Sequence, residues 1–238
     1  LITRKWRTGF ARQNDFAFQP SDGKKIHIFS RSGFGEVREQ FVDRPGSLTI
    51  RRFDLQAAPS LLFSVVHLPS KVHWNPDDQS MNSPIIAADI RRVEKDLGHE
   101  RTIVTGDFNM NPYEPGIAGR QGFSAVMTRR ESGRATRTIQ GREYPVFYNP
   151  MWKFFRDAPG LPSGSFYHRG SSPTSHPWNI YDQVLVRPSL ADSVAEVDIL
   201  SGDGSDSFVT SHGIPFHRPS MSDHLPLIFA INFPGDSI

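Results

Sequence analysis

Among its 238 residues the sequence has no cysteine. That excludes a disulfide framework, a thiolate zinc site and a cysteine nucleophile, and it suits a reducing compartment. Long apolar runs are missing too: none approaches the ~20 residues that span a bilayer. The opening stretch, Leu1 to Arg12, is basic but lacks the apolar centre of a signal peptide. A cytoplasmic, soluble protein with no membrane partner is therefore expected. Charge of one sign is scarce, since 27 Lys and Arg against 25 Asp and Glu leave a net charge of +2. The slight excess of arginine leans only weakly toward an anionic partner. No repeat of fixed period and no low-complexity linker divides the chain, so residues 1–238 are expected to fold as a single domain. The material for a core is present: 37% of residues are hydrophobic, with 18 Phe, 5 Tyr and 4 Trp.

Strand signals recur along the chain. Lys25 to Arg31 alternates with period two, Leu48 to Phe53 is a second candidate, and Leu61 to Leu68 is nearly all apolar, as in a central strand buried on both faces. Ser83 followed by Pro84 predicts a helix start, and Ile86, Ile90, Val93 and Leu97 then recur at helical spacing up to Gly98. Arg101 to Thr105 reads as a short strand. Further strands are expected at Gly164 to Arg169, Ile180 to Val186, Val194 to Leu200 and Leu227 to Phe233, and long loops between Phe123 and Phe155. Asp77 and Asp78 read as a surface loop.

Four short segments place polar residues where predicted strands begin or end: His67 in VVHLPS, Asp107 and Asn109 in VTGDFNMNP, Asp182 in IYDQVLV, and Asp223 with His224 in MSDHLPL. Singly, the histidine and the Asp and Asn residues are ordinary turn chemistry. Asp182 is less ordinary, because a carboxylate inside an apolar strand needs a partner to offset its desolvation. Taken together and in this order, GDFN after a strand and SDH before the last strand with Asp182 between them, the segments resemble the endonuclease/exonuclease/phosphatase family of deoxyribonuclease-like, metal-dependent phosphoesterases.

That resemblance implies an α/β fold, a four-layer sandwich of two mixed β-sheets flanked by helices. It also implies divalent-metal-dependent hydrolysis of a phosphoester with Mg²⁺ or Mn²⁺. His67, Asp107, Asn109, Asp182 and His224 become candidate catalytic residues: Asp182 fixes His224, Asp107 orients or deprotonates the attacking water, and Asn109 and His67 donate to oxygens that gain charge. Whether His224 or Asp107 takes the proton stays open. Asp223, Asp107 and Asn109 are the candidate metal ligands. The family ordinarily begins with a strand carrying an Asn and another ending in a metal-binding Glu. Both are absent here, and by that analogy about forty to fifty residues would precede Leu1.

The substrate expected is nucleic acid, DNA or RNA, making the chain a nuclease. Arg129, Arg130, Arg134, Arg137 and Arg142 form a basic stretch able to follow a phosphate backbone, and Trp152 with its neighbours can add stacking. A solvated loop beside a hydrophobic anchor explains the same residues. A phosphatase or phosphodiesterase for inositol phosphates or lipids, and a catalytically inactive binding domain, are the alternatives. No protein partner is expected. His212 and His217 could line the site or coordinate a second metal, and His168 and His176 could flank the substrate cleft.

Overall fold

The computed structural model describes residues 15–31, 35–55, 58–156, 161–170, 176–216 and 222–233. Two short strands, β1 (Phe16–Gln19) and β2 (Ile28–Arg31), form an antiparallel pair. Then come β3 (Glu36–Val42), β4 (Leu48–Asp54), β5 (Leu61–His67), helix α1 (Pro76–Leu97) and β6 (Thr102–Asp107). Two single-turn helices follow, α2 (Pro115–Ala118) and α3 (Arg129–Ser132), and the region expected to be long loops holds further short elements around and after α3. These are β7 (Ala125–Val126), β8 (Thr136–Ile139), β9 (Arg142–Pro145), β10 (Phe147–Tyr148) and a 3-10 turn at Pro150–Phe154. The chain continues through β11 (Phe166–Tyr167), β12 (Trp178–Asn179), β13 (Asp182–Val186), a 3-10 turn at Pro188–Ser193, β14 (Val194–Ile199) and β15 (Leu227–Ile231).

The central feature is a mixed seven-stranded sheet in the order β3-β4-β5-β6-β13-β10-β7. Strand β5 runs parallel to β6 through the α1 crossover, while β13 runs antiparallel to β6. Its middle strands are apolar on both faces, because each face is covered. Leu62 and Val66 of β5 and Val104 of β6 meet Ile86, Ala87, Ile90 and Val93 of α1. Leu61, Ile103, Val184 and Val186 face the other way, toward Val194, Val197 and Ile199 of β14 and Phe229 of β15, an antiparallel pair in the second β layer. Burying each such side chain is worth about 1.5–3 kcal/mol.

Helix α1 begins earlier than Ser83 and Pro84 suggest. Asn75 caps it by accepting from the Asp78 N–H while Asp78 accepts from the Asn75 N–H, and Pro76 takes the first helical position. Asp77 and Asp78, expected in a loop, thus form the first turn, where carboxylates favour the positive helix end. Ser83 turns inward and donates to the Gln79 carbonyl, and Pro84 lies inside the helix. Among the described residues no helix is long and apolar enough to cross a membrane.

Candidate active site

Strand register assembles the site. His67 at the end of β5 pairs with Asp107 at the end of β6, and Asp107 pairs with Asp182 at the start of β13, so the three lie side by side along one end of the sheet. Gly106 makes this possible: its φ is 129°, and a Cβ there would collide with the Val66 carbonyl of β5. His224, in the segment leading into β15, brings Nδ1 to 2.6 Å from Asp182 Oδ2. Atoms of Asp107, Asp182 and His224 all lie within 4.8 Å of one another. His67 Nε2 is 3.9 Å from Asp107 Oδ2.

Asp107 is gripped from its own loop. The Asn109 N–H donates to Oδ1 at 2.8 Å and its side-chain amide donates to Oδ2 at 2.8 Å. That amide also donates to the Leu68 carbonyl at 2.9 Å, so the phosphoryl-donor role implied for Asn109 would require it to release one of two internal bonds. The left-handed backbone of Asn109, φ 51°, closes this turn. Ser165, fully buried, joins the two halves of the pair. Its hydroxyl accepts from the N–H groups of Tyr181 and Asp182, and its carbonyl accepts from the Leu225 N–H at 2.7 Å.

Burial, and then the neighbouring Asp182, push the Asp107 carboxyl up to about 6, against the opposing pull of His224 and the Asn109 bonds. Burial alone would lower the His224 imidazole, but the hydrogen bond and charge of Asp182, reinforced by Asp107 and Asp223, outweigh it and bring it to about 9. His67 is lowered, by burial first and then by Lys25 and His224. Near neutral pH the cluster therefore holds an imidazolium beside a carboxylate that can still exchange a proton.

The other sequence candidates fall elsewhere. Asp223 is exposed, lies outside the three-residue cluster, and lines a small pocket of about 230 Å³ with Phe166 and His168. The Arg129 guanidinium donates to the Val194 carbonyl and lies over Tyr148, at the end of the sheet opposite the cluster. Arg137 is occupied by the Ala118 carbonyl. Arg130, Arg134 and Arg142 are exposed. Trp152 packs on Phe155. His212 and His176 are exposed, and His217 lies outside the described residues.

Several residues at this end escaped the sequence reading. Lys71 reaches Glu114 Oε1 at 2.5 Å and stands 5.1 Å over the ring of Tyr181. Tyr181 stacks on Phe166, which packs on His224. Asn111 ties the loop after Asp107 to the strand bearing Asp182, donating to Asn179 Oδ1 and accepting from the Ile180 N–H. Only the Asn-rich run NMNP hinted at such a network.

The family model described as Endonuclease/Exonuclease/phosphatase family matches residues 4–224. The chain belongs to this family. Similar solved structures agree on the fold. An endonuclease/exonuclease/phosphatase family protein from Bacteroides thetaiotaomicron has 16% identity and a TM-score of 0.56, covering 97% of this chain and 80% of its own. Truncated TDP2 from Caenorhabditis elegans has 13% identity and a TM-score of 0.53, covering 95% and 80%. The human Nocturnin catalytic domain has 12% identity and a TM-score of 0.52, covering 97% and 77%. No curated protein sequence matches the chain. Membership in the endonuclease/exonuclease/phosphatase family makes the chain a phosphoesterase by class and leaves the substrate to the site.

Proposed function

We propose that this chain is a divalent-metal-dependent phosphodiester hydrolase acting on nucleic acid. The observation that carries the reading is the clustering of Asp107 with the Asp182–His224 pair at the end of the central sheet. Water attacks phosphorus and gives its proton to Asp107, whose affinity for a proton near neutrality suits a general base. The ester P–O bond breaks as the new one forms. His224, held by Asp182 through Nδ1, keeps Nε2 for the substrate, where the imidazolium stabilises charge on the phosphoryl oxygens or protonates the departing oxygen. His67 supplies a second donor. Asn109 keeps Asp107 oriented.

The donor set suits a hard cation. Two neighbouring carboxylates share one imidazolium, and burial first, then the Asp182 charge, hold the Asp107 carboxyl above its ordinary range. Mg²⁺ or Mn²⁺ favours such oxygen ligands, and the Asp107 and Asp182 carboxylates of the cluster would help to hold it. When bound it would neutralise charge on the phosphoryl group.

The full-length protein tested with Mg²⁺ or Mn²⁺ on plasmid DNA, single-stranded DNA, RNA and a phosphoinositide decides the substrate. Cleavage of a polynucleotide that stops with EDTA is the expected result, and turnover of the phosphoinositide alone would overturn the nuclease reading. A small-phosphoester substrate gains some support from Arg129 and Arg137, whose guanidinium groups are engaged by backbone carbonyls rather than free for a phosphate backbone.

A further inference from the structure

A row of aromatic side chains leads away from the catalytic cluster. Phe166 touches His224 with ring centroids 4.9 Å apart, and Tyr181 stacks on Phe166 at 5.4 Å. Lys71 stands over Tyr181 and pairs with Glu114. Tyr113, next in sequence to Glu114, then meets Phe155 at 5.7 Å, and Phe155 meets Trp152 at 5.5 Å. Tyr113 is close enough to Tyr181 that, after burial and Glu114, it helps raise the Tyr181 phenol.

The outer part of this row is exposed by construction. Phe154 is buried in the core, and its neighbour Phe155 is 47% exposed. Tyr113 is 46% exposed, on a loop whose base is fixed by Asn111 and Glu114. One exposed ring is ordinary on a protein surface. Two in contact, backed by the half-buried Trp152 and carried by the loop whose Glu114 pairs with Lys71, make a surface of π-faces. The rings are tilted by 50° and 52°, so they have not collapsed into a closed stack.

We propose that Tyr113, Phe155 and Trp152 form a stacking platform for unpaired nucleobases of a strand whose backbone passes Lys71 into the cluster. This rests on the nuclease reading and deepens it by naming single-stranded nucleic acid as the preferred substrate. Base–aromatic stacking is tolerant of sequence because every base has a π-face. A duplex keeps its base faces inside the helix and cannot offer them. The inner rings touch the residues proposed to act on a phosphodiester, which favours a strand carrying bases over a purely apolar partner.

The test compares wild type with Tyr113→Ala/Phe155→Ala. Binding of a dodecamer of oligothymidine and of a blunt duplex is followed in EDTA by fluorescence anisotropy, and hydrolysis of bis(p-nitrophenyl) phosphate is followed with Mg²⁺ or Mn²⁺. Stacking is worth about 1–3 kcal/mol per base, so the double variant should bind the single strand on the order of 10–100-fold more weakly. Duplex affinity and chromogenic hydrolysis should change less than about twofold, since neither uses the rings. Tyr113→Trp should retain single-strand affinity and Tyr113→Leu should lose it, which keeps the test decisive if the double variant folds poorly. Unchanged single-strand binding, or equal loss on single strand and duplex, would overturn the platform while leaving the nuclease reading intact. Failure of the wild-type protein to bind or cut any polynucleotide while hydrolysing the chromogenic diester would overturn both.

Discussion

At one end of the central sheet, Arg187 is almost wholly buried, yet each nitrogen of its guanidinium has an acceptor. Glu94 accepts from it through two bonds of 2.8 and 2.6 Å, the Val146 carbonyl accepts a third, and the Phe147 ring lies 3.9 Å away. At the opposite end, Asp107 and Asp182 stand side by side with one imidazolium between them, and Asp107 is pushed up to about 6. Both ends bury charge against the same strands. A buried charge whose partners are complete holds the sheet together, whereas one whose partners fall short keeps a proton equilibrium near neutral pH, which is what acid–base chemistry requires.

The largest effect should come from breaking the complete end. Glu94→Ala strands Arg187 without a counter-charge, and unfolding free energy should fall by about 3–5 kcal/mol, read as a lower urea midpoint at unchanged slope. A loss under about 1 kcal/mol would mean that water reaches Arg187 and that the two ends differ less than their geometry implies.

At the incomplete end the order reverses, with activity lost and stability kept. Asp107→Ala and His224→Ala should each lower turnover at least about 100-fold, equivalent to about 2.7 kcal/mol of barrier, with the Asp107→Ala midpoint no lower than wild type and the His224→Ala midpoint lowered only by the loss of its Asp182 bond. More than a tenth of the wild-type rate in either folded variant would remove that residue from the proposed mechanism.

Asp107→Asn sharpens the contrast through pH. With its folded value raised to about 6 from an ordinary 3.8, the native state binds the proton more tightly than the unfolded chain. Stability therefore falls as pH rises from about 4 to about 6 and stays lower above that. The amide has no such penalty, so Asp107→Asn should be more stable than wild type by about 1–3 kcal/mol at pH 8 and closely matched at pH 3.5. His224 has the opposite sign. Its bond to Asp182 contributes fully below pH 6.5 and is lost as pH rises through about 9, so Asp182→Asn should flatten that upper window. Added Mg²⁺ should raise the melting midpoint of wild type more than that of Asp107→Asn, and an equal rise would place the cation elsewhere.

How much of this was legible depended on whether the signal was local. The family could be read from GDFN and SDH because each motif sits within a few residues, and Asp182 stood out as a carboxylate in an apolar strand. The helix start was misread because Ser83–Pro84 carries the local features of a cap, while the structure uses Asn75–Pro76 one heptad and more upstream. Lys71, Glu114, Tyr181 and Ser165 were invisible for another reason: each matters through contacts with residues far away in the chain, which only the β5–β6–β13 register brings together.

The basic stretch shows the same limit and gives the smallest expected effect. In sequence, Arg129 looks like the first of five cations along one path. In the fold, its partner Val194 follows the 3-10 turn beyond Val186, the end of β13 remote from Asp182, so Arg129 belongs with Arg187 rather than with the cluster. Arg129→Gln should cost no more than about 1 kcal/mol of stability, the scale of one hydrogen bond to an exposed charged group. Its kcat/KM on DNA and the salt dependence of its binding should match wild type, because an arginine that neutralises no phosphate releases no counterion. Arg134→Gln is the paired control: its side chain is exposed, and a flattening of the salt slope by about one unit in that variant alone would show that a backbone path exists and bypasses Arg129. Flattening in both would carry the nucleic acid to the far end of the sheet and dissolve the division between the two ends.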